Sequence, residues 1–283
     1  MGYKLKTYFE LITFQHTLFA LPFAYVGMML GFHGIPQWKT WLWVSIVMVG
    51  ARTFGMGMNR LIDHDIDAKN VRTYNRPLPA GRISRQEVWG LVLTSTLLIV
   101  VGCFNLNRTA LSLSPLILAM MWGYSYLKRF TWLSHFALGL ILGCAPILGW
   151  LASTNTITLS SMTLGIAVLF WVAGFDIIYA TQDVEFDIAQ GLWSIPSLMG
   201  VPSALLISKF CHIVSFLILL LIGWNLHLRF WYWGGLLVIG WLMYYQHRIV
   251  SPQDIKQVNR AFFVANGCVS IILFCAILLD VKK

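Results

Sequence analysis

Apolar residues in this chain come in long runs, broken by short polar segments, from one end to the other. A bilayer-crossing helix needs about 20 such residues. Runs of that order fall at 9–31, 38–60, 87–106, 110–127, 133–152, 161–182, 203–225, 230–246 and 261–279. The pattern predicts an all-α membrane protein, a bundle of about nine transmembrane helices. Ser84 with Glu87 makes a capping box ahead of the third run. Pro202 and Pro252 stand where a first helical turn tolerates a missing N–H. Neither a separate soluble domain nor a low-complexity tail is visible, so 1–283 reads as a single transmembrane domain.

Composition supports this reading. Hydrophobic residues make up 58% and charged residues 11%, against about 25% charged in a soluble domain. The net charge of +9 would suggest nucleic acid as the partner of a soluble protein. In a membrane protein, basic cytoplasmic loops account for it, and no nucleic-acid partner is expected. With the N-terminus inside, fifteen Lys and Arg fall at cytoplasmic loops or span ends, against Lys39, Arg108, Arg229, Lys282 and Lys283 outside. The bias favours a cytoplasmic N-terminus. Lys4 and Lys6 precede the first run as in a signal peptide, but that run is long, carries Gln15 and His16 and lacks an A-x-A site, so it is expected to remain. The five cysteines lie in apolar runs without a C-x-x-C pair and read as small packing residues.

The longest polar segments, 61–86 and 182–202, are separated by four spans and so share a side of the membrane, the cytoplasmic one. Seven of the eleven acids cluster there or at the adjoining span: Asp63, Asp65 and Asp67, then Asp176, Asp183, Glu185 and Asp187. Asp63 and Asp67 are four apart, as are Asp183 and Asp187, and each pair ends an even-numbered span. This spacing suggests two four-helix repeats plus one extra helix, with a site at their interface. If the helix continues past the membrane edge, Asn59, Asp63 and Asp67 form one oxygen-bearing stripe, and Asp65 points away. Acids at span ends are ordinarily solvated or paired with nearby arginines. Two spaced pairs on one side instead favour a divalent cation, since Mg²⁺ takes carboxylate and substrate phosphate oxygens.

Among the cations, Arg82 and Arg85 read as topology charges. Arg72 and Arg76 follow the acids closely and precede the stiff PLPAG turn, which limits the freedom of the loop. Arginine suits bidentate capture of phosphate oxygens. Acids with arginines at one site suit a metal-bound phosphate ester better than a simple ion.

These residues resemble the UbiA superfamily of intramembrane aromatic prenyltransferases. The first family motif, N-D-x-x-D-x-x-x-D, stands here as NRLIDHDID, residues 59–67, and the second, D-x-x-x-D, as Asp183 to Asp187 within DIIYATQDVEFD. The segment Arg72 to Gly81 and the Y-x-x-x-K pattern from Tyr124 to Lys128 are also similar to the family, and the likeness spans nearly the whole chain. Arg60 replaces the aspartate of the fuller motif. At about 100° around the helix from Asn59, it is expected to face away from the metals.

The resemblance implies two Mg²⁺ ions held by Asn59, Asp63, Asp67, Asp183 and Asp187, clamping a polyprenyl diphosphate whose oxygens meet Arg72, Arg76, Tyr124 and Lys128. Asp183, Asp187 and Asp176 would be catalytic. The acceptor would be a hydroxylated aromatic acid, its carboxylate held by Arg129, with Asp176 or Tyr179 orienting the ring hydroxyl or receiving the proton. The segment QHTLFALPFA, 15–24, resembles a branch of 4-hydroxybenzoate polyprenyltransferases of quinone (ubiquinone-type) biosynthesis. Some of its members act instead on 1,4-dihydroxy-6-naphthoate on a route to menaquinone. His16 itself reads as a packed, hydrogen-bonded histidine. The implied setting is the bacterial inner membrane with the site facing the cytoplasm, with the lipid bilayer as surroundings and no obligate protein partner. A non-enzymatic reading, an ion-coupled transporter, would also place acids between repeats but needs no dense Arg and Pro loop beside them. A CDP-alcohol phosphotransferase would carry its aspartates in one continuous run, whereas here the pairs lie 120 positions apart.

Overall fold

A computed structural model of the chain describes residues 2–13, 17–255 and 257–281. Gln15, His16, Lys256, Lys282 and Lys283 lie outside the described residues. The described residues are helical with no sheet; the one strand-like feature is an isolated bridge between Ser251 and Asp254. In order, the helices are α1 (Gly2–Leu11), α2 (Thr17–Phe32), α3 (Trp38–Ile62), α4 (His64–Asp67), α5 (Arg85–Leu106), α6 (Arg108–Tyr124), α7 (Ser134–Thr154), α8 (Leu159–Ala180), α9 (Val184–Ala189), α10 (Ile195–Asn225), α11 (Phe230–Ile249), α12 (Val258–Arg260) and α13 (Asn266–Val281). Among the described residues, seven helical stretches are long and apolar enough to cross a membrane, including a continuous Leu159–Ala189. Two more of the expected runs, 9–31 and 230–246, coincide with the shorter apolar stretch Ala20–Phe32 and with α11, whose Trp and Tyr side chains suit the membrane interface better than its core.

The bundle closes around α8, which packs against both α7 and α10, while α2 lies between α7 and α13 and α3 pairs with α5. Small residues bring these backbones together, as membrane helices without a hydrophobic driving force require. A Cβ on Gly149 would strike the Ala24 carbonyl, one on Gly27 the Pro146 carbonyl, and one on Gly139 the Leu169 carbonyl. The largest buried cluster joins Phe23, Trp150, Trp171, Phe175, Tyr232 and Phe262 across α2, α7, α8, α11 and the π-turn Ala261–Ala265 that precedes α13.

Several local expectations change. The capping box at Ser84 and Glu87 is present, opening α5. Pro202 stands as expected: α10 begins at Ile195 with Pro196 in its first turn, breaks at Gly200, whose φ of 77° suits glycine, and resumes with Pro202 in the first turn of its longer second part. Pro252 sits in the loop before α12, beside the Ser251–Asp254 bridge, and not in a helical turn. The cysteines are free, but Cys268 and Cys275 are exposed on α13, so they do not pack inside the protein.

Candidate active site

Both acid pairs line one cavity of about 600 Å³. The first wall comes from the end of α3. Asn59 lies in its last turn, and Asp63 leaves the helix at φ −94°, ψ 8° before α4 resumes. The stripe of Asn59, Asp63 and Asp67 is thus carried by two helices and a break, although Asp63 N–H still donates to Asn59 O and Asp67 N–H to Asp63 O. Asn59 Nδ2 donates to Asp63 Oδ2 at 2.7 Å. Asp67 is 6% exposed and accepts two bonds from Arg76 Nη1, at 2.7 and 2.8 Å. Asp65 points outward, pairing with His64 and Arg85.

Arg60 does not leave the site. It is buried, lines the cavity, donates to Asn59 Oδ1 at 3.2 Å and lies 3.7 Å from Asp67 Oδ2. Helix geometry put its Cα off the stripe, but a guanidinium on a long stem reaches back to the acids.

The second wall is the junction of α8 and α9. Asp183 takes the Nε of Arg72 at 2.9 Å and the amide of Asn70 at 3.1 Å on Oδ1, with a further Arg72 bond on Oδ2. Arg72 Nη1 also donates to the Tyr179 hydroxyl at 2.9 Å, and its guanidinium lies 5.1 Å from the centre of that ring. Burial works against the Arg72 charge, but Asp183 and Tyr179 outweigh it and raise its pKa. The loop after α4 therefore reaches across from the first acid pair to the second. Asn70 fixes its start by accepting from Arg72 N–H, and Gly81, at φ 69°, turns the chain after PLPA. Asp187 is 2% exposed; among the described residues its Oδ2 has no hydrogen-bond partner, with Lys128 Nζ 3.9 Å away.

Arg129 donates to Ile62 O at 2.7 Å and lies 3.3 Å from Asp63 Oδ1. Burial pushes the Asp63 carboxyl above the usual range, Asp67 adds to this, and Arg129 and Lys128 pull it back. Tyr124 and Asp176 line the same cavity, and Asp176 Oδ2 lies 2.7 Å from His135 Nδ1. The Tyr179 ring lies 4.3 Å from that of Phe262 and tilted 35° to it, and Phe262 also meets Phe175 edge-on. Arg52 also lines the cavity, ten residues before the end of α3 and so about 15 Å into the span. Among the described residues its Nε is sealed without a hydrogen-bond partner, and its Nη2 reaches only Thr13 O, at 3.5 Å. Beyond these polar groups the cavity turns apolar, running along α6 through Met121, Ile117 and Leu113 to Ala110, about 21 Å of helix from Tyr124.

Among the described residues, no three acids, histidines or cysteines converge into a ready metal cage. Mg²⁺ keeps several waters and binds through one or two carboxylates plus substrate phosphate. The oxygen-only donor set and the orphaned Asp187 Oδ2 fit such an ion. Arg52, Arg60, Asn70, His135 and Phe262 were not foreseen as site residues. For Arg52 a signal was present: an arginine deep within an apolar run is a functional candidate by default.

A helical membrane bundle whose cavity is acidic and basic at one end and apolar along the rest accommodates a lipid with a charged head. Comparisons with known proteins point the same way. The model of the UbiA prenyltransferase family matches residues 20–267. The 4-hydroxybenzoate octaprenyltransferases of Salmonella paratyphi B and Salmonella newport are each 30% identical over 245 residues, covering 85% of this chain and 82% of theirs. The apo structure of a UbiA homolog from Aeropyrum pernix K1 superposes with a TM-score of 0.86 at 32% identity, over 94% of this chain and 98% of that one. A UbiA homolog from Archaeoglobus fulgidus, solved bound to GPP and Mg²⁺, shares the fold at 18% identity, with a TM-score of 0.75 over 98% and 100% of the two chains. The chain belongs to the UbiA prenyltransferase family.

Proposed function

We propose that this protein transfers a polyprenyl group from polyprenyl diphosphate to a hydroxylated aromatic acid, with 4-hydroxybenzoate the first candidate. The observation that carries the reading is the polarity of one continuous cavity, which has acids and arginines at the mouth and apolar walls along the span. The relatives named for 4-hydroxybenzoate and the homolog bound to GPP and Mg²⁺ support it.

Asn59, Asp63, Asp67, Asp183 and Asp187 would hold Mg²⁺, which when bound offsets the charge that builds on the departing diphosphate. Arg72 and Arg76 are held by Asp183 and Asp67, at the edge where a diphosphate enters. They exchange these partners for phosphate oxygens, joined by Lys128 and Tyr124. Tyr179, Phe175 and Phe262 line the cavity beside Arg72 and offer ring faces to the allylic cation while excluding water. The apolar length of α6 takes the tail. Because Arg129 is tied to the backbone carbonyl of Ile62, Arg52 is the better anchor for the acceptor carboxylate, being without an acidic partner among the described residues. Asp176 faces the cavity from α8, in position to receive the ring proton. The single domain spans the bilayer about nine times. Its N-terminus and site face the cytoplasm at a bacterial inner membrane, as the Lys and Arg bias supports.

The test supplies purified protein in lipid with geranyl diphosphate, Mg²⁺ and either 4-hydroxybenzoate or 1,4-dihydroxy-6-naphthoate. Prenylation of the first supports the assignment. Prenylation of only the second moves the acceptor, and prenylation of neither overturns the aromatic-acid reading.

A further inference from the structure

Behind Asp176 sits a side chain that the mechanism so far leaves unused. His135, in the first turn of α7, is fully buried at 0% exposure. Its Nδ1 lies 2.7 Å from Asp176 Oδ2, and its Nε2 lies 3.3 Å from the backbone N–H of Ile195. A backbone N–H can only donate, so Nε2 is the unprotonated nitrogen and Nδ1 carries the proton. The tautomer is therefore fixed by the fold.

The origin of that N–H matters. Ile195 is the first residue of α10, and its amide is one of the donors that a helix start leaves without an intrahelical partner. The Ser194 hydroxyl caps Ser197 N–H instead, leaving the Ile195 amide for His135. With Nδ1–H donating to Oδ2, that oxygen of Asp176 is committed as an acceptor, and Oδ1 is the one left to take a proton. Oδ1 has no hydrogen-bond partner among the described residues, and the side chain, 21% exposed, lines the cavity.

We propose that His135 is a positioning residue for ring-proton removal, its Nδ1–H fixing Asp176 with Oδ1 turned to the acceptor. This rests on the aromatic-acid reading above. The allylic C–O bond breaks with its electron pair going to diphosphate, and a ring π pair forms the new C–C bond ortho to the hydroxyl. The proton on that ring carbon then passes to Asp176 Oδ1, and the C–H pair restores the aromatic ring. Asp176 ends neutral and gives its proton to water as product leaves. His135 stays neutral throughout and keeps its own proton.

The experiment compares wild type, His135→Leu and His135→Asn in lipid with geranyl diphosphate, Mg²⁺ and 4-hydroxybenzoate, ring-protiated or deuterated at the positions ortho to the hydroxyl. Asparagine can place an N–H near the position of Nδ1; leucine cannot. His135→Leu is expected to lower kcat about 100-fold, the low end of what acid–base groups contribute, with the KM for geranyl diphosphate unchanged. A primary isotope effect on kcat should emerge as proton removal becomes rate-limiting. His135→Asn should recover most of kcat and lose the isotope effect. If leucine leaves kcat intact, or lowers it with no isotope effect, His135 only ties α7 to α10 and the proposal falls. Should the leucine protein not accumulate, the asparagine variant decides alone: a low kcat without an isotope effect overturns the role. A wild type that prenylates neither acceptor overturns the site reading itself, and that result is visible without any substitution.

Discussion

Arg52→Met separates the two substrates of the proposed reaction. Methionine keeps an apolar stem of similar reach and removes the guanidinium. Among the described residues that group makes one long contact, 3.5 Å to Thr13 O, and its Nε has no partner. Little native bonding is lost, and an uncompensated charge leaves the span, so the thermal midpoint should hold or rise. In the complex the loss is a hydrogen bond to a carboxylate in a partly buried site, worth about 1.5–3 kcal/mol. At 1.4 kcal/mol per tenfold, the acceptor KM should increase about 10- to 150-fold. The assay is initial rate against 4-hydroxybenzoate at saturating geranyl diphosphate, with phenol as an acceptor lacking the carboxylate. Wild type should prefer 4-hydroxybenzoate strongly, and the variant should lose that preference by worsening the acid alone. An unchanged acceptor KM, or an effect confined to the donor KM, would refute the assignment and return the carboxylate to Arg129.

Asp63→Asn and Asp187→Asn should each abolish Mg²⁺-dependent transfer while the protein still inserts normally; near-normal turnover in membranes would remove the metal role from that position. Gly149→Ala should push α2 from α7, because the new Cβ meets the Ala24 carbonyl. Overpacking of this kind costs about 1–3 kcal/mol, so the yield of folded protein and its thermal midpoint should drop. Gly90→Ala, where a Cβ meets nothing within 4 Å, should not lower either.

Hydrophobic run lengths carried the helical class and the membrane setting, because a bilayer demands long apolar helices whatever their packing. The acids were legible for a related reason: charge at a span end stands out against an apolar chain. What escaped were features set by three-dimensional approach. Asn70 looks like an ordinary loop residue until the loop lands it on Asp183. His135 sits 41 positions from Asp176 and 60 from Ile195, so neither bond has a local signature. Phe262 was hidden among 18 phenylalanines, since the π-turn and the approach to the Tyr179 ring that distinguish it are set by the fold. Arg52 was readable but was taken with the topology charges, although its depth in the run argued otherwise.

Arg60 exposes the limit of reading a helix face from Cα directions. Its place in the motif suggested one fewer carboxylate and nothing more, yet the structure sets its guanidinium between Asn59 and Asp67. Together with Arg76, it balances the acids of the first wall when no cation is there. Returning an aspartate with Arg60→Asp exchanges one positive charge for one negative charge beside Asp67 and Asp63. Breaking a buried pair in this way costs about 3–5 kcal/mol, so in EDTA the thermal midpoint should fall well below that of wild type. Added Mg²⁺ stabilises the folded state that binds it by RT ln(1 + c/Kd), where c is the free Mg²⁺ concentration. The variant, with more carboxylate and less competing charge, should therefore gain more from Mg²⁺ than wild type does. Melting curves of both proteins across a Mg²⁺ titration decide the matter. Equal Mg²⁺-induced shifts would mean that Arg60 does not compete with the cation, and its burial beside Asp67 would then be a matter of packing.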